Sequence, residues 1–284
     1  MSSVPTLPHL RARALDIVRR GPRTVLWTEP RLGLGNFLYH WLQVSKLRET
    51  GGSAVALRSG EMDPWLPYFP EIERDYTVAR DEVRISDRRQ PGFFQGWGIH
   101  YWPEHVERFV DFALRQTTLP VRPDPDAEQV VVNVRRGDYF EPEFARRYAF
   151  DHEAYLHVAL ERTSRLGAPV RRIHVVSDDI AWCRTALAWL GDDAEVTFAA
   201  DAPTPADDFA TLASARRLIL TNSTFGYWAA HLSNGLYGDN HQHVVVPWFH
   251  DRAVWSGASY HLNPAWTVVR DIPGGWDVPS SSRG

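Results

Sequence analysis

The chain has 284 residues, 44% hydrophobic and 23% charged, with a formal net charge of −4 and a pI near 6.3. That composition is expected of a soluble globular protein with one large or two smaller domains, and its slight acidity gives no basis for binding nucleic acid or an anionic membrane. A single cysteine, Cys183, excludes an internal disulfide and a multi-cysteine metal site and fits a reducing, cytoplasmic setting.

The N-terminal stretch "MSSVPTLPHLRARALDIVRRG" has basic residues but no apolar core, so no secretory signal is expected. No apolar run approaches the roughly 20 residues of a membrane-spanning helix. "TVLWTEP" (24–30) reads as a short strand, followed by the glycine-rich turn "RLGLGNF". "FLYHWLQVSKLRETGG" (37–52) has helical apolar spacing and a glycine stop, and "SAVALRSG" reads as a second strand. "MDPWLPYFPEIE" is irregular, and "GFFQGWGIHYWPEHVERFVDFAL" runs from an aromatic segment into a helix that starts near Pro103. "TTLPVRPDPDAE" (117–128), rich in proline and acid, reads as a linker. The pattern then becomes regular. Strands "QVVVNVRR", "RRIHVVSDD", "AEVTFAA", "RLILTNS" and "HVVVPWF" alternate with helices over 151–167, 180–191, 206–216 and 224–235. Apolar strands between helices imply a parallel sheet covered on both faces. The expected organisation is an N-terminal α/β lobe over 1–122, a Rossmann-like lobe over 123–250, and a tail over 251–284 that packs back on the N-terminal lobe.

Such sheets place ligands beyond the carboxyl ends of their strands. Arg135 to Asp138, Ser177 to Asp179 and Asn222 to Phe225 all fall there. Guanidinium groups match phosphate oxygens two at a time. "TNSTFGYW" offers hydroxyls and backbone N–H groups at a helix start, which favours anions. "RLGLGN" has neither the lysine of a Walker loop nor the third glycine of a dinucleotide fingerprint. The residues alone therefore imply a pyrophosphate-like anion held by two α/β halves, without naming the ligand.

"VVVNVRRGDYF" (130–140) resembles the "HxRRxDY" signature of the α-1,2-fucosyltransferases, glycosyltransferase family 11. "LGLGNFLYHW", "FFQGWGIHYW", "IHVVSDDIAWCR" and "DDFATLASARRLILTNSTFGYWAAHL" resemble further motifs of that family, in its order, over residues 24–250. The resemblance implies a GT-B-like α/β fold, two Rossmann-type lobes with a nucleotide-sugar cleft between them. It also implies inverting transfer of L-fucose from GDP-β-L-fucose to a sugar hydroxyl, with no metal and no cofactor beyond the GDP-sugar. Carried over residue by residue, Arg135 holds the β-phosphate and Asp208 faces guanine. Ser223, Thr224 and Phe225 contact the phosphates, and Gly33, Gly35 and Asn36 form the loop that closes on the donor. Asp138 is the candidate general base. One departure stands out: the histidine of the motif is Asn133 here, on the same strand face as Arg135 by the period of 2. Asn133 would reach the nucleotide as a neutral hydrogen-bonding group.

Blander roles compete with several of these. Arg135, Arg136 and Asp138 taken alone would be a local ion-pair cluster, and "RGD" an adhesion tripeptide only in a secreted loop. "DPD" (124–126) has the form of a metal-binding D-x-D but lies in the linker, where a solvated acidic stretch is expected. Asp178 and Asp179 suit helix capping, at least one of them. The histidines show no repeating ligand spacing, and Cys183 suits a small buried site. Trp97 and Trp102 are candidate sugar-stacking residues for the acceptor. Two further functions remain open: a same-fold transferase with another GDP-sugar or a non-glycan acceptor, and a non-catalytic GDP-sugar-binding protein, which the asparagine at 133 allows.

Overall fold

The computed structural model describes residues 19–124, 126, 128–199, 204–254 and 260–279. The N-terminal stretch weighed as a signal, through residue 18, Pro125 of "DPD" and residues 280–284 of the tail lie outside them. The chain divides into two compact units, one of Met1–Gln95 and Ile99–Thr118, the other of Gly96–Gly98 and Leu119–Gly284. The division falls inside the linker, after Thr118: Thr117 and Thr118 bond to the Tyr68 carbonyl in the first unit, and the rest is anchored in the second. The Arg122 N–H donates to Ser214 Oγ (3.1 Å) and the Asp124 N–H to the Tyr237 hydroxyl (2.7 Å). Asp124 and Asp126 accept from the N–H groups of Asp126 and Glu128, both at 2.9 Å, and Asp126 also pairs with Arg172.

The first unit holds a four-stranded parallel sheet in the order β3-β2-β1-β4, with β1 Arg23–Trp27, β2 Ser53–Leu57, β3 Thr77–Val78 and β4 Arg88–Pro91. The edge strands β3 and β4 were not expected. β4 reads "RRQP" and is largely exposed, so it has no apolar pattern to announce it, and its charges and proline suit an edge. The Leu34–Glu49 helix buries Phe37, Leu38, Trp41, Leu42 and Val44. The Pro103–Gln116 helix starts on a proline whose missing N–H costs nothing in the first turn, and it buries Val106, Phe109, Val110 and Ala113 on one face.

The second unit is built on a six-stranded sheet in the order β10-β9-β8-β5-β6-β7, with every pairing parallel. Its strands are β5 Gln129–Val134, β6 Arg172–Ser177, β7 Glu195–Phe198, β8 Leu218–Leu220, β9 Val244–Pro247 and β10 Thr267–Val269. The central strand β5 is buried on both faces. Val130, Val132 and Val134 join a core with Ile173, Val175, Leu156 and Ile219, while Val131 and Asn133 are buried on the other side. Asp151 caps the His152–Leu166 helix through the Ala154 N–H (3.0 Å). The fully buried Tyr155 of that helix donates its hydroxyl to the Leu220 carbonyl (2.7 Å). Cys183 is fully buried, and burial pushes its thiol up to about 11.

The tail does not belong to the N-terminal lobe. It adds β10 to the second sheet, and buried Trp266 donates its indole N–H to Asn234 Oδ1 (2.7 Å) on the Thr224–Tyr237 helix. Trp276 packs edge-on against Phe150 and Phe249 of the same core. Trp266 is buried and Trp276 half-buried, so both indoles add apolar contact to this core. Among the described residues no helix is long and apolar enough to cross a membrane.

Candidate active site

β5 ends on two arginines that turn to different neighbours. The Arg135 N–H donates to Thr221 Oγ1 (2.9 Å), and the Thr221 N–H donates to the Asn133 carbonyl (3.1 Å), so the ends of β5 and β8 are locked together. The Arg135 guanidinium lies over the Tyr139 ring, 5.3 Å from its centroid. Its Nη1 is 2.7 Å from Asp178 Oδ2 and its Nη2 2.5 Å from Asp138 Oδ1. Burial opposes its charge, but the two carboxylates more than offset that and its pKa is raised. Arg136 is instead clamped between the rings of Phe140 and Trp182, at 4.0 and 3.9 Å, with Nε 3.1 Å from Asp179 Oδ2. Arg136 is thus held on several sides and its side chain is 16% exposed, whereas the Arg135 side chain is 37% exposed and the more open of the two.

Each arginine has one carboxylate partner from the end of β6, the strand beside β5. Asp179 caps the Ile180–Ala186 helix through the Trp182 N–H (3.1 Å). Asp178 does not cap. Its Oδ1 accepts from the Arg136 N–H (2.8 Å) while its Oδ2 holds Arg135. Gly137 makes this possible: its φ is +24°, and a Cβ there would stand 2.5 Å from Asp178 Oδ2.

On the other side of β5, the β8 exit leads into the Thr224–Tyr237 helix. Asn222 is fully buried and its amide donates to the carbonyls of Tyr148 (3.0 Å) and His250 (2.8 Å), which fixes the turn. The Ser223 side chain makes no capping bond. A helix start leaves N–H groups without intrahelical acceptors and carries partial positive charge, an arrangement suited to an anion. The Pro205–Ser214 helix packs on this helix, and Phe209 meets Phe225 edge-on at 5.1 Å, so their first turns lie together. Asp208 sits in that first turn, and burial, then neighbouring Asp207, pushes its carboxyl up to about 6. Asn133 lies between strand and helix. It is only 6% exposed, its Nδ2 is 3.5 Å from the Val176 carbonyl, and its Oδ1 has no partner.

Asn133, Arg135, Asp138, Asp208, Ser223, Thr224 and Phe225 thus belong to one unit, at the carboxyl ends of β5 and β8 and the helix starts beside them. Gly33, Gly35 and Asn36 belong to the first unit. Gly33 precedes the Leu34–Glu49 helix with φ −98° and nothing within 4 Å of where a Cβ would stand, so neither backbone nor packing requires glycine there. Gly35 is buried in that helix, and Asn36 Oδ1 accepts from Gln95 (2.5 Å). Trp97 belongs to the second unit, stacked on His231 at 5.9 Å with its N–H on the Tyr260 carbonyl (2.6 Å). Trp102 belongs to the first, 42% exposed with Lys46 Nζ 5.1 Å over its ring. Sequence reasoning missed the anchoring roles of Thr221, Asn222 and Asp178. For Asp178 a signal existed: acids ending one strand complement arginines ending the next.

The Glycosyl transferase family 11 profile matches residues 92–245 of the 284. The galactoside alpha-(1,2)-fucosyltransferase 1 of Homo sapiens is 32% identical over 181 residues, 59% of this chain and 48% of that protein. Its Sus scrofa counterpart is 36% identical over 179 residues (61% and 44%), and the galactoside 2-alpha-L-fucosyltransferase Sec1 of Mus musculus 36% over 151 (51% and 38%). The chain spans about half the length of these relatives or less. Among solved structures, E. coli heptosyltransferase WaaC with ADP superposes with a TM-score of 0.41 at 12% identity, covering 87% of this chain and 93% of that one. POFUT1 in complex with GDP superposes with a TM-score of 0.33 at 14% identity, covering 84% and 79%.

Proposed function

Because the chain belongs to glycosyltransferase family 11, we propose that it moves L-fucose from GDP-β-L-fucose to a hydroxyl of a sugar acceptor, with inversion and an α-1,2 linkage. The observation that carries this reading is the meeting, within one unit, of a half-buried strand-end arginine, a helix start without a side-chain cap, and a carboxylate in the first turn of the neighbouring helix. The Arg135 fork takes two oxygens of the β-phosphate, and the N–H groups of the Thr224–Tyr237 helix face the phosphates. Asp208 accepts from N1–H and the 2-amino group of guanine, a pair that adenine does not offer. In the reaction the acceptor oxygen bonds to the anomeric carbon while the bond to the β-phosphate oxygen breaks. GDP leaves with the electron pair, and the acceptor proton passes to a base. Charge builds on the β-phosphate as that bond breaks, where Arg135 offsets it without a metal. Asp138, now ion-paired to Arg135, is the proposed base. A phosphate that takes Arg135 Nη2 in its place frees the carboxylate.

Calorimetry with GDP, UDP and ADP, then GDP release from GDP-fucose with and without a galactoside acceptor, tests this reading. GDP is expected to bind best and turnover to persist in excess EDTA. Preference for another nucleotide overturns the donor, and tight GDP binding with no turnover on any acceptor favours a binding protein.

A further inference from the structure

Gly226 is the third residue of the Thr224–Tyr237 helix and faces β5 at Asn133. A Cβ on Gly226 would stand 2.8 Å from Asn133 Oδ1 and 3.4 Å from Leu220 Cδ2. Neither neighbour is placed to yield. Leu220 is a fully buried β8 residue, and Asn133 is a short, buried side chain on the central strand, on the same face of β5 as buried Val131. The asparagine side carries a cost as well: Oδ1 is a buried acceptor without a donor, which lowers stability.

The geometry points to Asn133 and Gly226 as a matched pair that sets how deeply the first turn of this helix seats against β5, and so where its N–H groups stand relative to Arg135. Asn133 is then a positioning residue rather than a ligand-contacting one, and its size is tied to the absence of a side chain at 226. Two distances constrain the seat at once. Asn133 pairs in register with Leu220 across β5 and β8, and Arg135, two residues on, is tied by its N–H to Thr221 at the end of β8. A helix start displaced from Asn133 is thereby displaced from the arginine as well. The inference rests on the nucleotide-sugar reading for its ligand, GDP, but not for the seat itself.

The test is a double-mutant cycle of Gly226→Ala and Asn133→Ala, read by GDP calorimetry and by melting temperature on the full chain. Gly226→Ala alone is expected to weaken GDP binding at least tenfold and to lower the melting temperature. Asn133→Ala alone removes one side of the seat and should weaken GDP binding roughly threefold to fivefold, less than Gly226→Ala does. In the double variant, removing the amide makes room for the methyl, and affinity should return to within about threefold of Asn133→Ala. Asn133→His, which enlarges the same side of the seat, should lose affinity at every pH between 6 and 8. If Gly226→Ala costs the same in both backgrounds, by either readout, the pair is not coupled and the inference falls. Coupling in melting temperature with additive GDP affinities confines the pair to packing and overturns its positioning role. A wild type that binds no GDP while the melting temperatures still couple sinks the nucleotide reading and leaves the seat standing.

Discussion

Arg135 and Arg136 are adjacent, identical in type and different in task, because Arg136 is ringed by Phe140, Trp182 and Asp179, while Arg135 is held by two carboxylates and the Tyr139 ring at a partly open surface. Lysine keeps the charge of arginine but not its two-pronged geometry. Arg135→Lys should therefore lower kcat/KM by roughly 100-fold, the scale of losing one oriented donor to a developing anion. The same change at Arg136 should act on stability instead, by losing the ring contacts. Near-normal turnover of Arg135→Lys would remove that fork from the chemistry. At Asp208 the relevant variable is pH. With its carboxyl at about 6, it is ionised at pH 7.5 and mostly protonated at pH 5. A protonated acid offers guanine one fewer acceptor, so GDP affinity should fall as pH drops through 6, beyond the phosphate's own titration. Asp208→Asn should flatten that fall and weaken binding by about tenfold, or about 1.4 kcal/mol. An unchanged pH profile in Asp208→Asn would place guanine elsewhere.

The turn between β8 and the Thr224–Tyr237 helix is pinned by the buried amide of Asn222, beside the Thr221 hydroxyl that accepts from Arg135. Asn222→Leu keeps the volume but leaves the buried His250 carbonyl and the half-buried Tyr148 carbonyl without this donor, a cost of about 1–3 kcal/mol. The urea midpoint should fall with an unchanged m-value, and GDP affinity should fall with it. Wild-type stability would mean that the turn is fixed by other bonds. This turn was legible in the sequence because apolar runs mark the ends of parallel strands and ligand-facing residues follow them. The same rule located Arg135 and Asp178. It could not tell that Asp178 reaches across to Arg135 while Asp179 caps, since that choice depends on Gly137 leaving room. Nor could it find β10: three residues, "TVV", are too few to carry a period, and their pairing with β9 is tertiary. The edge strand β4 escaped for the opposite reason, its polar sequence being what an exposed edge requires.

For the second unit as a whole, the tail is part of the core rather than an appendage. A chain ending after Asn263 would lose β10, Trp266 and Trp276, leave β9 as a bare apolar edge, and strip Asn234 of its indole donor. Such a chain should aggregate or unfold without a cooperative transition. A soluble variant with the wild-type melting temperature would show that the sheet needs nothing beyond β9. The strand order has one more consequence, for synthesis. In the sequence β5 to β10, each new strand pairs with a strand already made: β6 on β5, β7 on β6, β8 on the opposite side of β5, then β9 and β10 outward from it. The first sheet grows the same way, with β2 and β3 to one side of β1 and β4 to the other. No strand has to be threaded between two earlier ones. As the polypeptide leaves the ribosome, each sheet can lengthen at an open edge and no earlier pairing has to be undone, so the nascent chain can gain structure in the order in which it is translated.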